Sequence, residues 1–184
     1  MKLNVVLYHP EIPQNTGNIM RSCVGFHAKL HLIKPLGFSL DEKKLKRSCV
    51  DYFDYLDYEV YENFDDFSNK NKGKYYFFTR YGHQSPIHIN FKDVKEDIYL
   101  IFGAESTGIA YDILKEHLDD CYRFPTTNKV RSLNLSNCAA IGLFLASSQL
   151  EDSEILKDEP ECFKGANFLE ELDVNELTSV HKEH

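Results

Sequence analysis

Short apolar runs alternate with amphipathic segments through the first 150 residues of the chain. A short apolar run between polar turns is typical of a buried strand, whereas apolar residues at a spacing of three or four are typical of a helix. Strands are predicted at Leu3–Tyr8, Leu30–Ile33, Tyr58–Tyr61, Tyr75–Thr79, Ile98–Phe102 and Cys121–Phe124. Helices are predicted from Asn15 or Thr16 to Phe26, over Glu42–Ser48, from Asn63 or Asp65, over Tyr111–Leu118, and from Ser132 or Asn134 to Leu150. This alternation predicts an α/β fold with a mostly parallel sheet flanked by helices.

The net charge of −8 is concentrated at the end of the sequence. Residues 151–184 contain 11 acidic and 3 basic residues, which leaves 18 of each kind in residues 1–150. We therefore expect one domain over residues 1–150 and an acidic C-terminal extension over residues 151–184. The extension is predicted either to hold a helix around residues 168–177 or to be disordered.

Composition and motifs exclude several classes of protein. No apolar run approaches bilayer length, and the opening residues lack the layout of a signal peptide. The five cysteines are widely spaced, and the histidines show no tight ligand spacing, so a reduced cytoplasmic protein without a metal or membrane partner is expected. Neither GxGxxG nor GxxxxGK[ST] occurs, which disfavours dehydrogenases and P-loop NTPases. The histidines at 27, 31, 83 and 88 are interpreted as structural or surface residues, and Cys138 as a core residue.

Three polar clusters remain as candidates for chemistry: Asn15–Arg21, Phe102–Gly108 and Arg131–Asn137. Each follows a predicted strand, and ligands of parallel α/β sheets bind at the carboxyl ends of strands. We therefore expect the three clusters to form one site. Gly103 lacks a Cβ, so a ligand could approach its backbone closely.

In order and separation, these clusters resemble the three motifs of the SPOUT superfamily of RNA methyltransferases. The opening Leu3–Gln14, together with Lys34–Phe38 and Asp51–Tyr52, resembles its minimal-domain members, which methylate the ribose 2′-oxygen at the wobble position of certain tRNAs. The likeness covers residues 1–150.

The resemblance implies a sheet whose C-terminal segment passes through a loop to make a trefoil knot. It implies S-adenosylmethionine as cofactor and a homodimer with the active site at the subunit interface. The implied cofactor contacts are Phe78, Thr79, Gly103, Phe124, Ser132 and Leu133. Phe124 departs from the family pattern, in which an aliphatic residue is expected.

The resemblance also implies a catalytic group made of Arg21, Glu105 and Asn134, with Asn15, Asn18 and Ser136 near the substrate. Lys43, Lys44 and Arg47 are candidate contacts to tRNA because a local basic patch can bind nucleic acid whatever the overall charge. Two alternatives stay open. One is a SPOUT enzyme that acts on ribosomal RNA, and the other is a non-catalytic RNA-binding dimer.

Overall fold

Six strands form one sheet in the computed structural model, which describes residues 1–40 and 52–172. The strands are β1 (Leu3–Tyr8), β2 (Lys29–Ile33), β3 (Tyr58–Tyr61), β4 (Lys74–Phe78), β5 (Ile98–Phe102) and β6 (Cys121–Tyr122). Their order across the sheet is β3-β2-β1-β5-β4-β6, and every neighbouring pair is parallel. The predicted α/β class and parallel sheet are confirmed. β4 begins and ends one residue earlier than predicted, and β6 ends at Tyr122, two residues earlier than predicted. Thr79 and Phe124 line a cavity instead.

The centre of the sheet is buried on both faces. Val5, Val6 and Leu7 in β1 are all 0% exposed, although consecutive side chains point to opposite faces. Val5 and Leu7 belong to one apolar cluster and Val6 to the other. Continuous apolar runs such as β1 are therefore required here, since neither face of the strand meets water.

The α-helices that the structure describes in the first unit are α1 (Pro13–Gly25), α2 (Phe64–Lys70), α3 (Tyr111–Glu116) and α4 (Leu135–Ser147). The predicted cap of α1 at Asn15 or Thr16 is wrong. Pro13 opens the helix without a side-chain cap, because proline fixes its own φ and has no N–H to satisfy. Asn63 caps α2 and Asn134 caps α4, as predicted, but α4 ends three residues before Leu150.

The chain divides into compact units at Met1–Asp152 and Ser153–His184, and the second contains a short helix, α5 (Phe168–Glu171). The predicted helix at Glu42–Ser48 and the part of the tail beyond residue 172 lie outside the described residues. In the portion that the structure describes, no helix has the length and apolar character needed to cross a membrane.

A polar network is buried between β1, β2 and β3. The His31 ring bonds through Nδ1 to the Tyr61 hydroxyl at 2.9 Å and through Nε2 to Asn4 Oδ1 at 3.1 Å. His31 is only 1% exposed, and burial lowers its pKa to about 4, with a smaller effect from the charge of Lys29. The folded protein therefore holds His31 neutral, which agrees with its interpretation as a structural residue.

Acid should weaken the fold through His31. Between about pH 6.5 and pH 4 the unfolded chain binds a proton at this residue that the folded chain does not, so stability falls as the pH falls. The free energy of unfolding should drop by up to about 3 kcal/mol across this window. Urea unfolding at a series of pH values measures it. His31→Gln should flatten the dependence, whereas His88→Gln, at an exposed position, should not. Equal slopes in both variants would contradict this role.

Candidate functional site

A cavity of about 690 Å³ opens across the carboxyl ends of β1, β4 and β5. The last residue of each strand lines it: Tyr8, Phe78 and Phe102. The volume is within the usual range for a site that takes a small organic ligand. Its position is the one expected for a ligand site of a parallel sheet.

The residues predicted to contact the cofactor all line this one cavity: Phe78, Thr79, Gly103, Phe124, Ser132 and Leu133. Backbone N–H groups of Phe124, Ser132 and Leu133 donate to no other residue that the structure describes. These donors are therefore available to a ligand.

Aromatic rings form the apolar side of the cavity. The Phe78 ring stacks on Phe102 with 4.7 Å between centroids and on Phe124 with 5.1 Å. The departure at Phe124 from the aliphatic residue expected there thus has a packing role, since its ring extends the Phe78–Phe102 stack.

Glycine is needed at position 103 to avoid a clash with the chain itself, whereas the sequence suggested that it leaves room for a ligand. A Cβ at this position would be 2.7 Å from Gly108 Cα, and still closer to the Gly108 carbonyl carbon and the Ile109 nitrogen. The space beside Gly103 is thus filled by the chain itself. Ala104 and Gly108 exchange backbone hydrogen bonds of 3.2 and 2.9 Å, and Gly108 has a φ of 77°. The two glycines close a tight loop, and that loop forms one wall of the cavity.

One chain of hydrogen bonds joins the three polar clusters. Asn15 Nδ2 donates to Glu105 Oε1 at 2.9 Å, and Asn134 Nδ2 donates to Asn15 Oδ1 at 3.0 Å. The N–H and hydroxyl of Ser136 both donate to Asn134 Oδ1. The clusters therefore meet, as the sequence predicted, and Asn15 links the other two. This link explains why Asn15 is 6% exposed and does not cap its helix.

Glu105 is bound at the start of α1. Its carboxylate accepts the backbone N–H groups of Glu11 at 2.9 Å and Ile12 at 3.2 Å, in addition to Asn15. The Glu11 carboxylate in turn accepts hydrogen bonds from the N–H and hydroxyl of Ser106, in the 103–108 loop. These two bonds lower the pKa of Glu11. Both acids therefore fasten the 103–108 loop to α1. A negative charge at this helix end is also favoured by the helix dipole.

Changing Asn15 to aspartate should break this connection. The substitution keeps the shape but replaces the donor at Glu105 with a second carboxylate in a buried position. We expect a loss of about 2–3 kcal/mol in the free energy of unfolding, measured by urea denaturation at neutral pH. The loss should shrink in acid, where a proton shared between the two carboxyl groups removes their repulsion. Asn18→Asp, exposed on the same helix, is the matched control. An equal effect of the two changes would contradict the role of Asn15.

Several predicted site residues lie elsewhere. Arg21, Asn18 and Ser136 do not line the cavity, while Glu105, Asn134 and Asn15 do. Arg21 is exposed on α1, with its guanidinium carbon 5.8 Å from the centre of the Tyr52 ring. The Tyr52 hydroxyl donates to the Gly17 carbonyl at 3.1 Å, which fixes the ring beside α1. Lys43, Lys44 and Arg47 are outside the described residues.

Other lining residues were missed by sequence reasoning. Arg80, Tyr81 and Tyr111 line the cavity in loops and at a helix start, where no periodic pattern marks them. His9 lines it with a φ of 53°, directly after β1, and burial lowers its pKa. Cys138 was interpreted as core, but it is half-buried and also lines the cavity. The one feature of the sequence that could have indicated His9 and Arg80 as lining residues is that each comes directly after a predicted strand.

The fold and the site define an α/β protein that takes a small organic ligand at the carboxyl edge of a parallel sheet. Residues 2–144 match the sequence profile of the SpoU rRNA Methylase family, so the chain belongs to that family.

Relatives and solved structures agree with this assignment. A protein of Bacillus subtilis strain 168, provisionally named tRNA (cytidine(34)-2′-O)-methyltransferase, is 45% identical over 148 residues, which is 80% of this chain and 92% of that protein. A structure from Bacillus anthracis, provisionally named an RNA methyltransferase, is 44% identical with a TM-score of 0.77, over 80% of this chain and 93% of that one. A structure described as giving insights into the 2-OH methylation of C/U34 on tRNA is 35% identical with a TM-score of 0.73, over 80% of this chain and 95% of that one.

Proposed function

We propose that this protein is an S-adenosylmethionine-dependent methyltransferase that modifies the ribose 2′-oxygen of cytidine or uridine at the anticodon wobble position of tRNA. The observation that carries the proposal is the cavity at the sheet edge, in which all six expected cofactor residues meet the polar cluster of Glu105, Asn15 and Asn134. The names of the relatives at 45% and 35% identity supply the same substrate class.

The residues of the cavity suit this cofactor. Free backbone N–H groups at Phe124, Ser132 and Leu133 could hold its polar atoms, while the rings of Phe78 and Phe124 provide an apolar surface. When bound, S-adenosylmethionine supplies a methyl group on a sulfonium that an oxygen can attack in line. The cavity walls would fix that donor, and positioning of this kind can account for much of the acceleration.

Arg21 would act on the substrate as a cation. A guanidinium stays protonated in proteins, so it is unsuited to remove the proton of the 2′-hydroxyl. Arg21 would instead hold a neighbouring phosphate and stabilise negative charge on the oxygen as the proton leaves to phosphate or water. Glu105 and Asn134 would position α1 and the cofactor loops, since their polar atoms already bind other groups of the chain.

A homodimer with a shared active site would bring Arg21 to a cavity. Arg21 does not line the cavity of its own protomer, yet it is exposed and free to meet another. Helix α4, which packs on α1, exposes Ile141 at 39% and Phe144 at 61%. Two such apolar side chains on one helix face are suited to an interface with a second copy.

The rest of the proposal follows from the same resemblance. The segment leading into α4 would pass through a loop to make the trefoil knot. Residues 1–150 would form the catalytic domain and residues 151–184 an acidic extension, and the enzyme would work in the cytoplasm. Lys43, Lys44 and Arg47, which precede Tyr52 in the sequence, would bind tRNA.

Methylation of unfractionated tRNA with labelled S-adenosylmethionine tests the function. Digestion to nucleosides should yield labelled 2′-O-methylcytidine or 2′-O-methyluridine, and mapping should locate it at position 34. A parallel reaction with ribosomal RNA tests the ribosomal alternative that the family description favours. Label only in ribosomal RNA would overturn the tRNA assignment. Binding of RNA without cofactor binding and without label in either RNA would support the non-catalytic alternative.

A further inference from the structure

Three side chains that no sequence motif marked are gathered at the cavity. Arg80 and Tyr81 follow β4, and Tyr111 begins α3 thirty positions later. The Arg80 guanidinium donates to the Tyr81 hydroxyl and lies over its ring, with 4.6 Å from its central carbon to the centroid. The hydroxyls of Tyr81 and Tyr111 are 3.0 Å apart, and their rings meet edge to face. We call Arg80, Tyr81 and Tyr111 the tyrosine cluster.

The two rings of the tyrosine cluster remain open to solvent. Tyr81 is 46% exposed and Tyr111 is 62% exposed, although each has a partner that holds its orientation. Large exposed aromatic side chains fixed beside a cavity offer flat surfaces for a planar group. In proteins that bind single-stranded nucleic acid, such surfaces take unstacked bases.

Positive charge surrounds the same opening. Arg80, Arg123 and Arg131 all line the cavity, and none of them pairs with a carboxylate among the residues that the structure describes. Glu105 is the one acidic residue in the described lining, and its carboxylate is already bound by three N–H groups. The charges of Arg80 and Arg131 contribute to a lowered pKa at Tyr81, after its hydrogen bonds with Tyr111 and Arg80.

This charge favours RNA over the cofactor as the partner of the tyrosine cluster. S-adenosylmethionine carries a single carboxylate, so it could pair with at most one of the three guanidinium groups, and the others would remain for a second anionic partner. A strand of RNA carries one negative charge per phosphate and presents bases that can stack on tyrosine and on guanidinium.

We propose that the tyrosine cluster holds the RNA strand beside the methylated ribose, with one base stacked on Tyr81, another on Tyr111 and a phosphate on Arg80. The inference rests on the proposed function and adds residues that would position the substrate. Tyr81 and Tyr111 would act through their ring faces, and their mutual hydrogen bond would keep those faces oriented.

Binding and kinetics with unfractionated tRNA test the inference. Tyr81→Leu and Tyr111→Leu should each weaken tRNA binding about 5- to 100-fold and raise KM accordingly, since one stacked base contributes that much. Tyr81→Phe and Tyr111→Phe should retain most of the affinity because the rings remain. Arg80→Gln should reduce the slope of log Kd against log salt by about one. Lys92→Gln, exposed and outside the cavity lining, is the control for charge.

Cofactor titration by calorimetry separates the outcomes. The dissociation constant of S-adenosylmethionine should be the same in wild type and in the Leu variants. Weaker cofactor binding with unchanged tRNA binding would overturn the inference, as would unchanged tRNA affinity in the double Leu variant of an active enzyme. Wild-type protein that neither binds nor methylates tRNA would overturn the proposed function itself, and this inference with it.

Discussion

Arg21→Ala should lower the rate of methyl transfer by a factor of about a hundred or more while leaving folding and cofactor binding unchanged. Arg21 is exposed, lies outside the cavity lining and has its closest aromatic contact with Tyr52 at 5.8 Å. Replacing Arg21 with alanine therefore removes few packing contacts and leaves the walls of the cofactor site unchanged. Initial rates with tRNA, together with calorimetric titration of S-adenosylmethionine, measure the two parts of this prediction.

Arg21→Lys distinguishes charge from geometry. A lysine keeps the positive charge but loses the planar fork of the guanidinium. We expect a residual rate clearly above that of Arg21→Ala, because the proposed role needs a cation near phosphate and the developing oxyanion. A rate as low as that of Arg21→Ala would show that the geometry of the guanidinium is required, and it would overturn a role based on charge alone.

Gly103→Ala should weaken cofactor binding strongly. The new methyl group would be 2.7 Å from Gly108 Cα and closer still to the two backbone atoms that follow. Backbone cannot move aside as a flexible side chain can, so the 103–108 loop must shift and the cavity wall with it. Overpacking of this kind costs about 1–3 kcal/mol. We expect at least a hundredfold weaker binding of S-adenosylmethionine, measured by calorimetry on protein shown to be folded by circular dichroism.

Gly25→Ala is the matched control for Gly103→Ala. A methyl group at Gly25, the last residue of α1, meets no described atom within 4 Å. The change should be neutral or stabilise the protein by up to about 1 kcal/mol, because alanine favours the helix. Unchanged cofactor affinity in Gly103→Ala would show that the close approach of Gly108 is unimportant to the site.

Arg21→Ala and Gly103→Ala together test whether two chains share an active site. Co-expression of Arg21→Ala chains with Gly103→Ala chains produces mixed dimers if the protein is a dimer. In such a dimer one cavity has an intact Gly103 and can receive Arg21 from its partner, so part of the activity should return. Mixed dimers without any recovered activity would show that Arg21 serves the cavity of its own chain.

The hydrogen-bond chain at the site shows what sequence reasoning could reach. Asn15, Glu105 and Asn134 stood out because polar residues cluster there after predicted strands, and parallel strands end at one edge. Their partners could not be assigned in the same way. Asn15 looked like a helix cap, yet it binds Glu105 across ninety positions of sequence, and Glu105 also accepts the backbone N–H groups of Glu11 and Ile12.

The limit of sequence-based prediction is clearer for Arg80, Tyr81 and Tyr111. Each is an ordinary residue in its own segment, without periodicity or a neighbouring motif. They form a cluster only because β4 and β5 are neighbours in the sheet. The loop after β4 therefore meets the start of α3, which follows β5 in the chain. Gly103 illustrates the same limit, since its closest neighbours are the backbone atoms of a loop that turns back on itself.

The sequence by itself determined the class of fold, most of the strands and helices, and the three clusters from which the site is built. These features follow from local patterns of apolar and polar residues, which indicate what each segment buries. Tertiary structure alone decided which of those polar atoms are already bound to one another, and which aromatic and basic side chains surround the opening. Contacts between distant segments depend on how strands are ordered in the sheet, and no local pattern encodes that order.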